Sequence, residues 1–86
     1  MAYDILFTER ARKDLEQLEQ YVQERIIHTL ERIRIRPEPY VKRLVGVPYF
    51  SLRTGNYRII LDIQKNRLII LVVTLGHRSR IYDRIK

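Results

Sequence analysis

Apolar residues change their spacing once along this chain, and the change divides it. Ala11, Leu15 and Leu18, then Val22, Ile26, Leu30 and Ile33, recur every three or four positions, with Ile27 widening the second stripe. Such spacing lines one face of a helix with about 3.6 residues per turn. Beyond Pro37 and Pro39 the period becomes two: Tyr49, Ser51 and Arg53 alternate with Phe50 and Leu52. Pro37 disfavours helix at the residue before it, so the second helix ends by Arg36.

The ends of the elements carry their own signals. Tyr3, Ile5 and Phe7 alternate with Asp4 and Leu6, which suits a short strand. Thr8 then reads as an N-cap, with Glu9 suited to the positive end of the helix. No strong cap marks the boundary between the helices near Gln20. Thr54-Gly55-Asn56 has turn chemistry. Tyr57 to Ile63 and Arg67 to Leu75, joined by Gln64-Lys65-Asn66, are apolar on both faces and read as central, antiparallel strands. Gly76 stops the last of them and releases the segment from His77 to Tyr82. The expected fold is α+β in one domain over residues 1–86: an N-terminal strand, a helical hairpin, then an antiparallel sheet of three further strands, β-α-α-β-β-β.

Charge is divided as sharply as period. Residues 1–41 hold seven basic and eight acidic side chains, whereas residues 42–86 hold ten basic and two acidic, a net charge of +8. An excess confined to half a chain marks a surface for phosphates or for an acidic partner. Hydrophobic residues make up 45% of the chain, too many for a disordered polyelectrolyte. The longest mostly apolar run, Leu68 to Leu75, is far short of the roughly 18 residues of a membrane span. The start shows no leader pattern, and without cysteine there is neither a disulfide nor a thiolate metal site. A soluble, cytoplasmic domain is expected.

Alternation decides which side chains meet. With Phe50 and Leu52 toward the helices, Tyr49, Ser51 and Arg53 face the other way. Arg58 follows just across the turn, and Arg78 and Arg80 leave the end of the last strand. Arginine forks bind phosphate oxygens, and the rings of Tyr49 and Tyr82 suit stacking on unpaired bases, which favours single-stranded RNA over duplex DNA. Lys42 and Arg43 add salt-sensitive phosphate attraction. Structural roles compete: Arg58 has Asp62 two positions along its strand face, His77 suits a turn at a strand end, and Tyr57 alternates with core residues. His28, within the second helix, reads as structural or solvent-facing.

Leu44-Val45-Gly46, Leu52-Arg53-Thr54-Gly55-Asn56-Tyr57-Arg58 and Gly76-His77-Arg78-Ser79-Arg80-Ile81-Tyr82, in that order and spacing, resemble the RelE/ParE toxin superfamily, RelE-type members above all. The resemblance implies a toxin held inactive by a RelB-like antitoxin and acting on mRNA at the ribosome, with no metal or cofactor. The ribose 2′-hydroxyl would attack the adjacent phosphate, giving a 2′,3′-cyclic phosphate and a 5′-hydroxyl. It assigns Arg58 and Arg78 to phosphate charge, Tyr82 to stacking on or orienting a nucleotide, and Arg53 to holding RNA.

RelE-type members carry lysines on the strand before the turn, one of them the general base, where this chain has Tyr49 and Ser51. Serine cannot replace lysine as a proton acceptor, so His77 becomes the candidate base. The chain ends at Lys86, so the family's final helix is expected to be curtailed or absent. A ParE-like toxin that inhibits a topoisomerase (gyrase) without cleaving RNA is the alternative that the missing lysines favour. A non-catalytic RNA-binding module is the third.

Overall fold

The computed structural model describes residues 2–84, with side chains as far as Ile81. Strand β1 (Asp4–Phe7) leads into helices α1 (Glu9–Glu16) and α2 (Gln20–Arg32). Thr8 caps α1: its hydroxyl accepts from the Ala11 amide at 3.0 Å and donates to the Val73 carbonyl at 2.7 Å. One side chain thus satisfies an orphan helix donor and ties the helix start to the sheet. The break between the helices falls at residues 17–19, where Gln23 donates to the Leu18 carbonyl at 2.8 Å. After α2 a 3₁₀ turn (Glu38–Tyr40) precedes β2 (Lys42–Arg43), β3 (Phe50–Thr54), β4 (Tyr57–Gln64), β5 (Ile69–His77) and α3 (Arg78–Arg84). Among the described residues no helix is long and apolar enough to cross a membrane.

The strands form one sheet in the order β1-β5-β4-β3-β2. β4 and β5 are central, as their double-sided apolar runs predict, and β3, β4 and β5 pair antiparallel. The expected antiparallel sheet is nonetheless mixed, because β1 pairs with β5 in parallel. Parallel neighbours need a long connection, and here everything from α1 to β4 lies between them. Two further elements depart from the expected order. β2 holds only two charged residues, with no apolar alternation to announce it. The segment expected to be released at Gly76 instead finishes β5 and turns into α3, which contacts β5 and β4 and buries Ile81.

One sheet face packs against the helices. Val22, Ile26, Leu30 and Ile33 meet Leu52, Ile59, Leu61, Ile70, Val72 and Leu75 in the core, each large side chain contributing about 1.5–3 kcal/mol by burial. β1 ends at Phe7, so beyond Val72 the edge of β5 away from β4 has no strand beside it. Asp14 of α1 takes that edge, accepting from the Thr74 hydroxyl at 2.7 Å and the Leu75 amide at 3.4 Å.

A bulge in β5 resets which way its side chains face. Leu61 stands opposite Val72 but Ile60 opposite Thr74, so Val73 is an extra residue in β5. It reverses the alternation beyond it. Leu75 and His77 therefore share the helix side with their partners Ile59 and Tyr57, and Gly76 stands opposite Arg58 on the other side.

Candidate nucleic-acid interface

Arg53 and Arg58 are register partners in β3 and β4. Directly opposed residues share a face, and Leu52 and Ile59 occupy the helix side, so both arginines lie on the side away from α1 and α2. The two-residue loop between the strands has a positive φ, +60°, at Gly55 and not at Asn56, the arrangement of a II′ hairpin turn. Arg53 Nε donates to the Gly55 carbonyl at 3.3 Å. Arg58 is half-buried, and its Nε and the Ser51 hydroxyl are both shut off from solvent. Like charges directly opposed across a ladder destabilise a sheet. An anion bridging them removes that cost.

The register also separates two residues that the sequence treated alike. Lys42 stands opposite Ser51, on the face of Arg53 and Arg58. Arg43 stands opposite Phe50 on the helix side, its guanidinium carbon 5.8 Å from the Phe50 ring centroid. From a strand spacing of ~4.8 Å and a rise of ~3.3 Å per residue, the Cα atoms of Lys42 and Arg58 lie about 12 Å apart, so both side chains can reach one phosphodiester. Sequence reasoning missed this placement of Lys42. Neighbours in any strand face opposite ways, but a two-residue strand leaves no pattern by which to recognise it.

The other expected residues are distributed around this face. The Arg78 amide donates to the Asn56 carbonyl at 2.9 Å, which fixes the start of α3 to the β3–β4 turn. Arg78 and Arg80 are exposed. Tyr49 is half-buried, and its carbonyl accepts from the Leu44 amide at 3.0 Å to close the loop between β2 and β3. The expectation for Tyr82 falls on a side chain outside the described residues. Asp62 accepts from Gln64 Nε2 at 3.0 Å. Tyr57 packs against the core, as its alternation predicts.

His77 is not brought to the arginines. Its ring stands edge-on to Tyr57 with centroids 5.8 Å apart, and its Nδ1 is 2.9 Å from the Ser79 hydroxyl. Together with Tyr21, Val22 and Arg25 it lines a hollow on the α2 side. The extra residue Val73 is the cause: without it, simple alternation from Val72 puts His77 on the Arg58 face. The candidate base His77 thus stands on the face opposite Arg58.

Residues 5–82 match the family described as ParE toxin of type II toxin–antitoxin system, parDE. The chain is 29% identical over 83 residues to the mRNA interferase toxin RelE of Escherichia coli, covering 93% of this chain and 87% of that one. It is also 29% identical over 90 residues to the toxin RelG of Mycobacterium tuberculosis, covering 98% and 100%. Among solved structures it is similar to the toxin–antitoxin complex RelBE2 of Mycobacterium tuberculosis, with a TM-score of 0.81, 25% identity, and coverage of 91% of this chain and 100% of that one.

Proposed function

The chain belongs to the ParE toxin family of type II toxin–antitoxin systems, and on that premise we propose that it is a cytoplasmic toxin that cleaves mRNA on the ribosome. It acts as a single domain, residues 1–86, and is held inactive by a RelB-like antitoxin. The names of its relatives support the reaction, and one observation on this chain carries it. Arg53 and Arg58 are opposed in register, with Lys42 on the same face.

In this reading Arg53, Arg58 and Arg78 hold the scissile phosphate and offset the charge that builds on it, the effect of prearranged donors at a developing anion. The ribose 2′-oxygen attacks the adjacent phosphorus and the bond to the 5′-oxygen breaks. The 2′ proton leaves to water, and the Lys42 ammonium on that face supplies the proton that the departing 5′-oxygen takes up. The products are a 2′,3′-cyclic phosphate and a 5′-hydroxyl, with neither metal nor cofactor taking part. Arg80 and Tyr49 flank the phosphate face, Arg43 on the other side of β2 adds longer-range attraction for RNA, and Tyr82 orients a nucleotide.

A ParE-like topoisomerase inhibitor is the second reading, favoured by the family description and by Tyr49 and Ser51 in place of lysines. Mapping mRNA ends on translating ribosomes, alongside a gyrase supercoiling assay, separates the two. Codon-phased cuts with normal supercoiling support cleavage; intact mRNA with blocked supercoiling supports the second reading and overturns the first.

A further inference from the structure

Along α2, Arg25, His28, Thr29 and Arg32 occur at i, i+3, i+4 and i+7, which places them on one face, beside the apolar stripe of Val22, Ile26, Leu30 and Ile33. Arg25, His28 and Arg32 are exposed on that face and Thr29 is half-buried. The face forms one wall of a cleft of about 500 Å³ whose other walls are Tyr40 and residues 52–55 of the β3 hairpin. Among the described residues no carboxylate lines the cleft. Neither Arg25 nor Arg32 takes part in an ion pair among the described residues, although Glu24 and Glu31 are their neighbours in sequence. The two arginines are about 10.5 Å apart along the helix axis.

The cleft meets the cleavage face at Arg53 and Gly55. A Cβ built on Gly55 would stand 3.7 Å from the Arg25 guanidinium, and the Gly55 carbonyl accepts from Arg53 Nε at 3.3 Å. Two guanidinium groups from different elements thus converge on the turn, one from each side of the sheet. The Tyr40 ring, 51% exposed, stands at the far wall, where it can stack on an unpaired base.

We propose that this cleft is a second binding track for single-stranded RNA, continuous around the Gly55 turn with the face of Arg53 and Arg58. The inference rests on the RNA-cleaving reading and extends it: the strand cut on one side of the hairpin is held on the other. Its specificity is for the phosphodiester backbone, since guanidinium groups and hydroxyls line it and only Ile33 and Leu52 offer it aliphatic walls. An amphipathic peptide has a better place on the opposite side of α2, where Ile5, Phe7, Ile27, Leu30 and Ile69 line a groove of about 510 Å³.

The test is fluorescence anisotropy of the full chain with a labelled single-stranded RNA of about 12 nucleotides, within the ~4–16 that such grooves hold, across a salt series. Each phosphate contact on a single strand contributes about 0.7 to the slope of log affinity against log salt, so R25A/R32A lowers the slope by about 1.4 and weakens binding about tenfold. R25K/R32K, which keeps the charges, restores most of the slope. A wild-type slope in R25A/R32A, while R53A/R58A still loses affinity, overturns the second track and leaves the cleavage face standing. A loss that R25K/R32K does not restore makes the arginines structural and overturns it too. If R25A/R32A loses binding to a Glu-rich peptide but not to RNA, the cleft is a peptide site. If the wild-type chain binds no RNA at all, both readings fall together.

Discussion

Arg53 and Arg58 oppose each other directly across the β3–β4 ladder, with only Gly55-Asn56 forming the loop between their strands. The turn makes the pairing unavoidable: a two-residue hairpin that pairs Thr54 with Tyr57 must also pair the residues one step back on each strand. Two cations are therefore held on one face by backbone geometry rather than by their own attraction. A phosphate brought to that face meets both cations at once.

Lys42 and Arg43 are adjacent, exposed and alike in charge, yet they lie on opposite faces. Lys42→Ala is expected to slow mRNA cleavage by at least about tenfold, toward the ~10²–10⁴ that a lost proton-transfer group removes. Arg43→Ala is expected to change it less than about twofold, within what a flanking cation contributes. Cleavage rates of the two variants on programmed ribosomes check this. Equal losses would contradict the role given to the register.

His77 stands beside Tyr57 on the α2 side. His77→Ala is therefore expected to retain cleavage to within about threefold, far from the ~10²–10⁴ that loss of a general base removes. A loss in that larger range would return the proton transfer to His77. Deleting Val73 probes the same point from the other side, since it removes the bulge and shifts His77 onto the Arg58 face, with altered near-ultraviolet circular dichroism from the Tyr57 environment.

Thr8 and Asp14 hold α1 to β5 through their side chains, beside the bond from the Thr8 amide to the Val72 carbonyl. Thr8→Ala removes a cap and a bond to the Val73 carbonyl and is expected to cost about 1–2 kcal/mol. In a chain of this size that lowers Tm by about 4–8 °C per kcal/mol, readable by thermal denaturation. Asp14→Ala is expected to speed hydrogen exchange at the Leu75 amide, whose acceptor it removes, more than at Ile59 in the core.

Much of the fold is legible in the sequence because its long elements repeat. The stripe from Val22 to Ile33 and the double-sided runs of β4 and β5 have enough length to show their period, and Thr8 and Gly55 announce a cap and a turn. What is not legible is short or non-local. β2 is two charged residues paired at an edge, and α3 has Ile81 as its one buried apolar residue among the described positions. The parallel pairing of β1 with β5 joins segments more than sixty residues apart, which no local pattern encodes. At the site, Arg53 and Arg58 follow from the turn alone. Lys42 and His77 do not: one depends on an unannounced strand and the other on a single inserted residue.

The most direct measurement is the single-turnover cleavage rate on ribosomes programmed with a defined mRNA, for the wild-type chain and for Arg58→Ala, with melting curves showing both folded. Loss of one prearranged donor to a developing anion costs about 10²–10³ in rate. A fall in that range is expected for Arg58→Ala, with wild-type products ending in a 2′,3′-cyclic phosphate. A folded Arg58→Ala chain that cuts at the wild-type rate, or a wild-type chain that leaves the mRNA intact, would contradict cleavage by this face.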